Sequence, residues 1–146
     1  MKLQLIITAG CAAFALLCMG SLLVGCDHTT MSPVPINPDP TSFSNIQANI
    51  LQPRCVNQGC HPGGGAPFSL AGNVAYQNLV GVPSVQIPAL NRVTPNQPDS
   101  SYLIQKLVGP PTYTILGSRM PPGGSPLGQN DINNIRAWII KGAPND

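Results

Sequence analysis

The stretch RCVNQGCHPGGG, Arg54 to Gly65, sets two cysteines five positions apart and puts a histidine directly after the second. His61 is one of only two histidines in the chain. Thiols and an imidazole so close together suit a small disulfide, half of a metal site, or the covalent anchorage of a prosthetic group. Choosing among these requires knowing which compartment the chain reaches and what partners the rest of the sequence offers.

Length and composition set the outer limits. At 146 residues the chain has room for one ordinary domain. Only 8% of residues are charged, whereas prolines number 17 and glycines 15, a balance that predicts short helices joined by long loops. The formal net charge is +2 and no basic run occurs. Nucleic acid is therefore not expected as a partner, because binding its backbone needs clustered Lys and Arg.

The opening MKLQLIITAGCAAFALLCMGSLLVGC, residues 1–26, has one positive charge at Lys2 followed by an apolar run to Gly25, the outline of an export signal. The run is also just long enough to cross a bilayer. Its ending, LVGC, resembles the lipobox of bacterial lipoproteins, in which cleavage precedes a cysteine that carries lipid. Residues 1–25 are accordingly read as a signal peptide that is removed with Cys11 and Cys18, and Cys26 as the lipidated residue. The expected location is the bacterial cell envelope, with the membrane reached through the lipid. Residues 26–40 hold four prolines and almost no large apolar side chains, so they read as an extended tether. The folded domain is then 41–146.

Helix signals within that domain are few. Thr41 or Ser42 is placed to cap a first helix whose apolar residues Phe43, Ile46, Ile50 and Leu51 recur at helical spacing, and Pro53 is expected to end it. A second short helix is expected over Ala71–Val80. In PDSSYLIQKLV, Pro98–Val108, Asp99 or Ser100 serves as cap, and Leu103, Ile104 and Leu107 form the apolar face. The last helix is the clearest, with Ile132, Ile135, Trp138 and Ile139 in one stripe and Gly142 as its stop. No strand alternation, hairpin signal or repeat is present. The expected class is all-α, and loops this long suggest that the chain wraps something apolar.

In an oxidising compartment Cys55 and Cys60 either pair with each other or attach to something else. Covalent haem attachment uses two thiols and an imidazole immediately behind them, usually as C-x-x-C-H, whereas four residues separate the cysteines here. A disulfide across a short loop remains the alternative. Structural zinc wants four ligands, and the mature chain adds only His28, in the tether. Further on, SRMPPGGSPL, Ser118–Leu127, holds a methionine in a Pro/Gly loop with no helical periodicity around it. Met120 is either a filler of the core or a soft ligand suited to haem iron.

Taken together, the chain from Asn45 to Ala143 resembles a single-haem cytochrome c domain of the class I kind, in its exported bacterial branch. The residues that carry the resemblance are Cys55–His61, Gly63–Gly65, Pro95–Leu103, Arg119–Leu127 and Ile135–Ala143. The chain departs from the usual pattern in its wider cysteine spacing. The resemblance implies a small cytochrome c-like fold of three to five short helices around one haem c. It also implies that helix 43–52 crosses helix 129–141 near Trp138. By the same resemblance Cys55 and Cys60 hold the haem, His61 is its proximal ligand, and Met120 its distal one.

An iron with both axial positions filled has no place for a substrate. The chain contains no Glu, and no Ser-His-Asp set, carboxylate pair or phosphate loop is present. The expected function is therefore membrane-tethered electron transfer to redox partner proteins, without enzymatic activity of its own beyond service as an electron-transfer subunit. The alternative is a non-haem structural or binding lipoprotein with a Cys55–Cys60 disulfide.

Overall fold

Ser42 begins the first helix by accepting the Asn45 N–H on its hydroxyl oxygen at 3.2 Å, one of the two caps expected. The computed structural model describes residues 39–63, 67–72 and 74–146. The signal segment, Cys26, His28, the tether to residue 38, and Gly64 and Gly65 lie outside the described residues.

The fold takes hold at Asp39. Its carboxylate accepts from the Thr41 N–H at 2.9 Å and the Thr41 hydroxyl at 2.7 Å, and pairs with Lys141 at 2.8 Å. The bond from Lys141, followed by those from Thr41, draws the Asp39 carboxyl down to about 2.

Helix α1, Phe43–Ile46, does not stop at Pro53 as the sequence suggested. It runs on into a π-helix, Gln47–Val56, with Pro53 inside it. In an α-helix the proline ring presses on the carbonyl one turn back, and the wider π winding moves that carbonyl away. The apolar side chains fit this winding: Ile46, Ile50, Leu51 and Val56 are all buried.

Helix α2, Ala75–Leu79, is shorter than the expected 71–80. Its approach is a turn in which the N–H groups of Val74 and Ala75 both donate to the Ala71 carbonyl. Helix α3, Tyr102–Val108, starts later than expected, with Ser101 at its cap position. Neither Asp99 nor Ser100 caps it. The Asp99 carboxylate instead pairs with Arg136 at 2.8 Å and accepts the Tyr113 hydroxyl, a longer-range partnership that wins over local capping. Helix α4, Gln129–Ile140, buries the expected stripe of Ile132, Ile135, Trp138 and Ile139, and Gly142 follows it.

Helices α1 and α4 meet through Phe43 and Trp138, whose rings lie 5.2 Å apart at 34°. Tyr76 of α2 meets Phe43 edge-on at 5.2 Å. Both polar tips on these rings are satisfied, since Trp138 donates to the Pro144 carbonyl and Tyr76 to the Ala143 carbonyl. Helix α3 joins the same core with Ile104 and Leu107.

Among the described residues there is no strand, only isolated bridges at Val80–Val93 and Pro83–Asn91, so the domain is all-α. No described helix is long and apolar enough to cross a membrane.

Candidate functional site

The π-helix delivers Cys55 to the edge of the core, and the next six residues fold back on it. The Asn57 N–H donates to the Gln52 carbonyl, Gly59 to Val56, and His61 to the Cys55 carbonyl at 2.9 Å. This reversal needs a left-handed residue, which Gly59 supplies at φ 75°. Cys55, Cys60 and His61 thereby come to one wall, and the two thiols are not bonded to each other. Burial, reinforced by electrostatic repulsion from the neighbouring Cys60 side chain, pushes the Cys55 thiol up to about 11, against a smaller pull from Arg54. Cys55 is thus a protonated thiol at neutral pH.

His61 is oriented by Phe68. The Phe68 carbonyl lies 3.0 Å from His61 Nδ1, and the two rings are 4.9 Å apart. A proton on Nδ1 donated to that carbonyl leaves Nε2 as the basic nitrogen, the arrangement in which a second partner fixes a ligating histidine. Phe68 is itself covered by Arg92, whose guanidinium carbon sits 3.8 Å from the ring centroid. Arg92 is buried and donates one N–H to the Asn78 carbonyl at 2.6 Å, while its Nε has no partner.

Met120 reaches the same region from the far side of the chain. Its N–H donates to the Lys106 carbonyl at 2.8 Å, and its half-buried side chain packs against the core. Cys55, Cys60, His61 and Met120 all line one cavity of about 410 Å³. The remaining walls are mostly apolar, from Phe68, Leu70, Leu79, Leu103, Leu107 and Pro121. Leu103, expected among the core positions of α3, is half-buried because it faces this cavity. The charged lining is one-signed: Arg54, Arg92 and Lys106 contribute, and no carboxylate does, beside the neutral Ser84, Gln86 and Tyr102.

The structure therefore gathers all four domain residues singled out in the sequence, whereas Cys26 lies outside the described residues. Phe68, Arg92 and Lys106 were not anticipated. The available signal was the scarcity of charge, since a cation within an apolar helix pattern, as in Leu103–Leu107, invites the question of what it serves. Compared with models of known protein families, with curated proteins and with solved structures, the chain matches none.

Proposed function

We propose that the chain is an electron-transfer protein carrying one covalently attached c-type haem. Cys55 and Cys60 are the attachment points, and His61 and Met120 the axial ligands. The observation that carries this reading is the convergence of two thiols, an imidazole and a thioether, remote in sequence, on one apolar cavity. Among the described residues no group of three or more Cys, His, Asp or Glu side chains is arranged to hold a bare ion. One imidazole with one thioether is too sparse for a bare cation, but it suits iron whose other ligands lie in a macrocycle.

The donor set also fits the polar edge of such a group. The unpartnered Arg92 Nε favours a ligand that brings a carboxylate into an otherwise apolar space, whereas the Lys106 ammonium is already committed to the Leu116 and Ser118 carbonyls. When bound, the haem supplies a one-electron couple, which Met/His ligation places at high potential. The chain's own part is to hold the imidazole in one orientation through Phe68, to present the thioether, and to exclude water with leucines and prolines. With His61 and Met120 both committed to the iron, the site would transfer electrons and would leave no place for a substrate. The same reading includes an N-terminal lipid on Cys26, a position at the bacterial envelope, and redox proteins as partners.

The test is an alkaline pyridine spectrum of the purified, denatured protein, which reports haem and the number of its vinyl groups saturated by thioethers. A colourless protein whose mass shows a Cys55–Cys60 disulfide would overturn the proposal in favour of a non-haem lipoprotein.

A further inference from the structure

On helix α3, Tyr102 and Lys106 stand one turn apart, and both are buried. Each reaches the segment that leads into Met120. The Lys106 ammonium donates to the Leu116 carbonyl at 2.8 Å and to the Ser118 carbonyl at 2.6 Å. The backbone of the same residue accepts the Met120 N–H at 2.8 Å. The Tyr102 hydroxyl accepts the Leu116 N–H at 3.3 Å and donates to the Gln86 side chain at 2.9 Å. One lysine thus grips three points of a five-residue segment that has no strand or helix of its own.

Burying an ammonium without a carboxylate beside it is unfavourable, and a Leu at this position would fill the space without that cost. What Leu lacks is a donor able to serve two separate carbonyls. Each such charge-assisted bond is roughly twice as strong as one between neutral groups when geometry is good. The charge therefore secures a backbone path rather than a packing volume.

We propose that Lys106 is the positioning residue for the Met120 thioether, holding residues 116–120 so that the sulfur faces the cavity. This rests on the haem reading above, in which Met120 is an axial ligand. Lys106 touches the ligand's loop and acts only through it.

The experiment compares Lys106→Leu, Lys106→Gln and Lys106→Arg with the wild type, all as haem-loaded full-length protein. In Lys106→Leu the covalent haem content by pyridine spectrum should match the wild type. The weak long-wavelength sulfur-to-iron absorption of the oxidised protein should fade. Carbon monoxide should bind the reduced form about tenfold faster or more, since losing one charge-assisted bond multiplies the detached-methionine population by at least that factor. Lys106→Arg, which can also donate to two carbonyls, should restore both signals, and Lys106→Gln should fall between. Adding Lys106→Leu to Met120→Ala should give no further acceleration, because the interaction it supports is already gone.

The inference is overturned if Lys106→Leu keeps the wild-type absorption and carbon monoxide rate, even if it melts earlier, because that is a purely structural role. It is also overturned if the double variant is faster than Met120→Ala alone. If Lys106→Leu does not accumulate, Lys106→Gln decides by the same two readouts. A wild type without covalent haem refutes the underlying proposal instead, so the two failures are distinguishable.

Discussion

Replacing Arg92 by Leu asks directly what the cavity holds. In the structure Arg92 makes one short charge-assisted bond to the Asn78 carbonyl and stacks on Phe68, while its Nε is buried without a partner. The bond contributes about 1.5–3 kcal/mol and the stacking about 0.5–2 kcal/mol. An orphaned buried donor works the other way, costing about 1–3 kcal/mol. If Nε stays orphaned, Arg92→Leu removes gains and cost together, and the loss should be only about 1–2 kcal/mol. If Nε meets a carboxylate of a bound group, the cost becomes a second charge-assisted bond. The loss should then rise to about 4 kcal/mol or more. Under the haem proposal we expect the larger value, together with a lower reduction potential, since removing a cation near the iron would favour its ferric form. The assay is urea unfolding of the coloured protein followed by far-UV circular dichroism, with potentiometry alongside. A loss of about 2 kcal/mol or less with an unchanged potential would refute the reasoning.

If the proposed haem is held as argued, Met120→Ala should abolish the sulfur-to-iron absorption, lower the potential and open the reduced iron to carbon monoxide; an unchanged spectrum and potential would remove Met120 from the site. Gly109 ends α3 at φ 71° and ψ −166°, a region nearly restricted to glycine, and a Cβ there would lie 3.0 Å from Arg119. Gly109→Ala should therefore cost about 1–3 kcal/mol in denaturant unfolding, and a neutral result would contradict the geometry. Hydrogen bonds from Tyr113, then Arg136, hold the Asp99 carboxyl below its ordinary value. Its contribution is thus present above that ordinary value and lost as pH falls through the lowered one. Asp99 is exposed, so the gap between wild type and Asp99→Asn should be at most about 1 kcal/mol near neutrality and should close on acidification; a gap that widens in acid contradicts the sign. Cys26→Ser should leave a larger, unlipidated precursor, and equal labelling of mutant and wild type by fatty acid would exclude the lipid anchor.

The two terminal helices were legible where sequence pattern and packing agree. Ser42 reads as a cap and acts as one, and the stripe on α4 is buried as its spacing implied. The π-helix was not legible, because the breaking power of Pro53 is a rule about α-helices and says nothing of a wider winding. Asp99 misled for a different reason. Its partners Tyr113 and Arg136 are remote in sequence, and they outbid a local backbone N–H. On α3 the periodicity assigned Leu103 to the core and passed over Lys106. Only the position of the cavity and of the 116–120 segment makes one half-exposed and the other buried. The site divides along the same line. Cys55, Cys60, His61 and Met120 announce themselves by chemistry and by resemblance. Phe68 and Arg92 matter through a carbonyl, a ring face and an unpartnered nitrogen, none of which a linear sequence displays.

The loop from Leu116 to Pro126 has no ladder of its own, and side-chain cations take the place of one. Lys106 serves Leu116 and Ser118, Arg119 serves Met120 and Gly124, and Arg54 serves Ser125 and Pro126. A cation bound to neutral carbonyls responds to its surroundings differently from an ion pair. Dissolved salt, which screens opposed charges over several ångströms, has little purchase on a contact between a charge and a dipole at bonding distance. The path of this loop is accordingly fixed by short charge–dipole contacts, and added salt should loosen it less than it loosens the surface ion pairs.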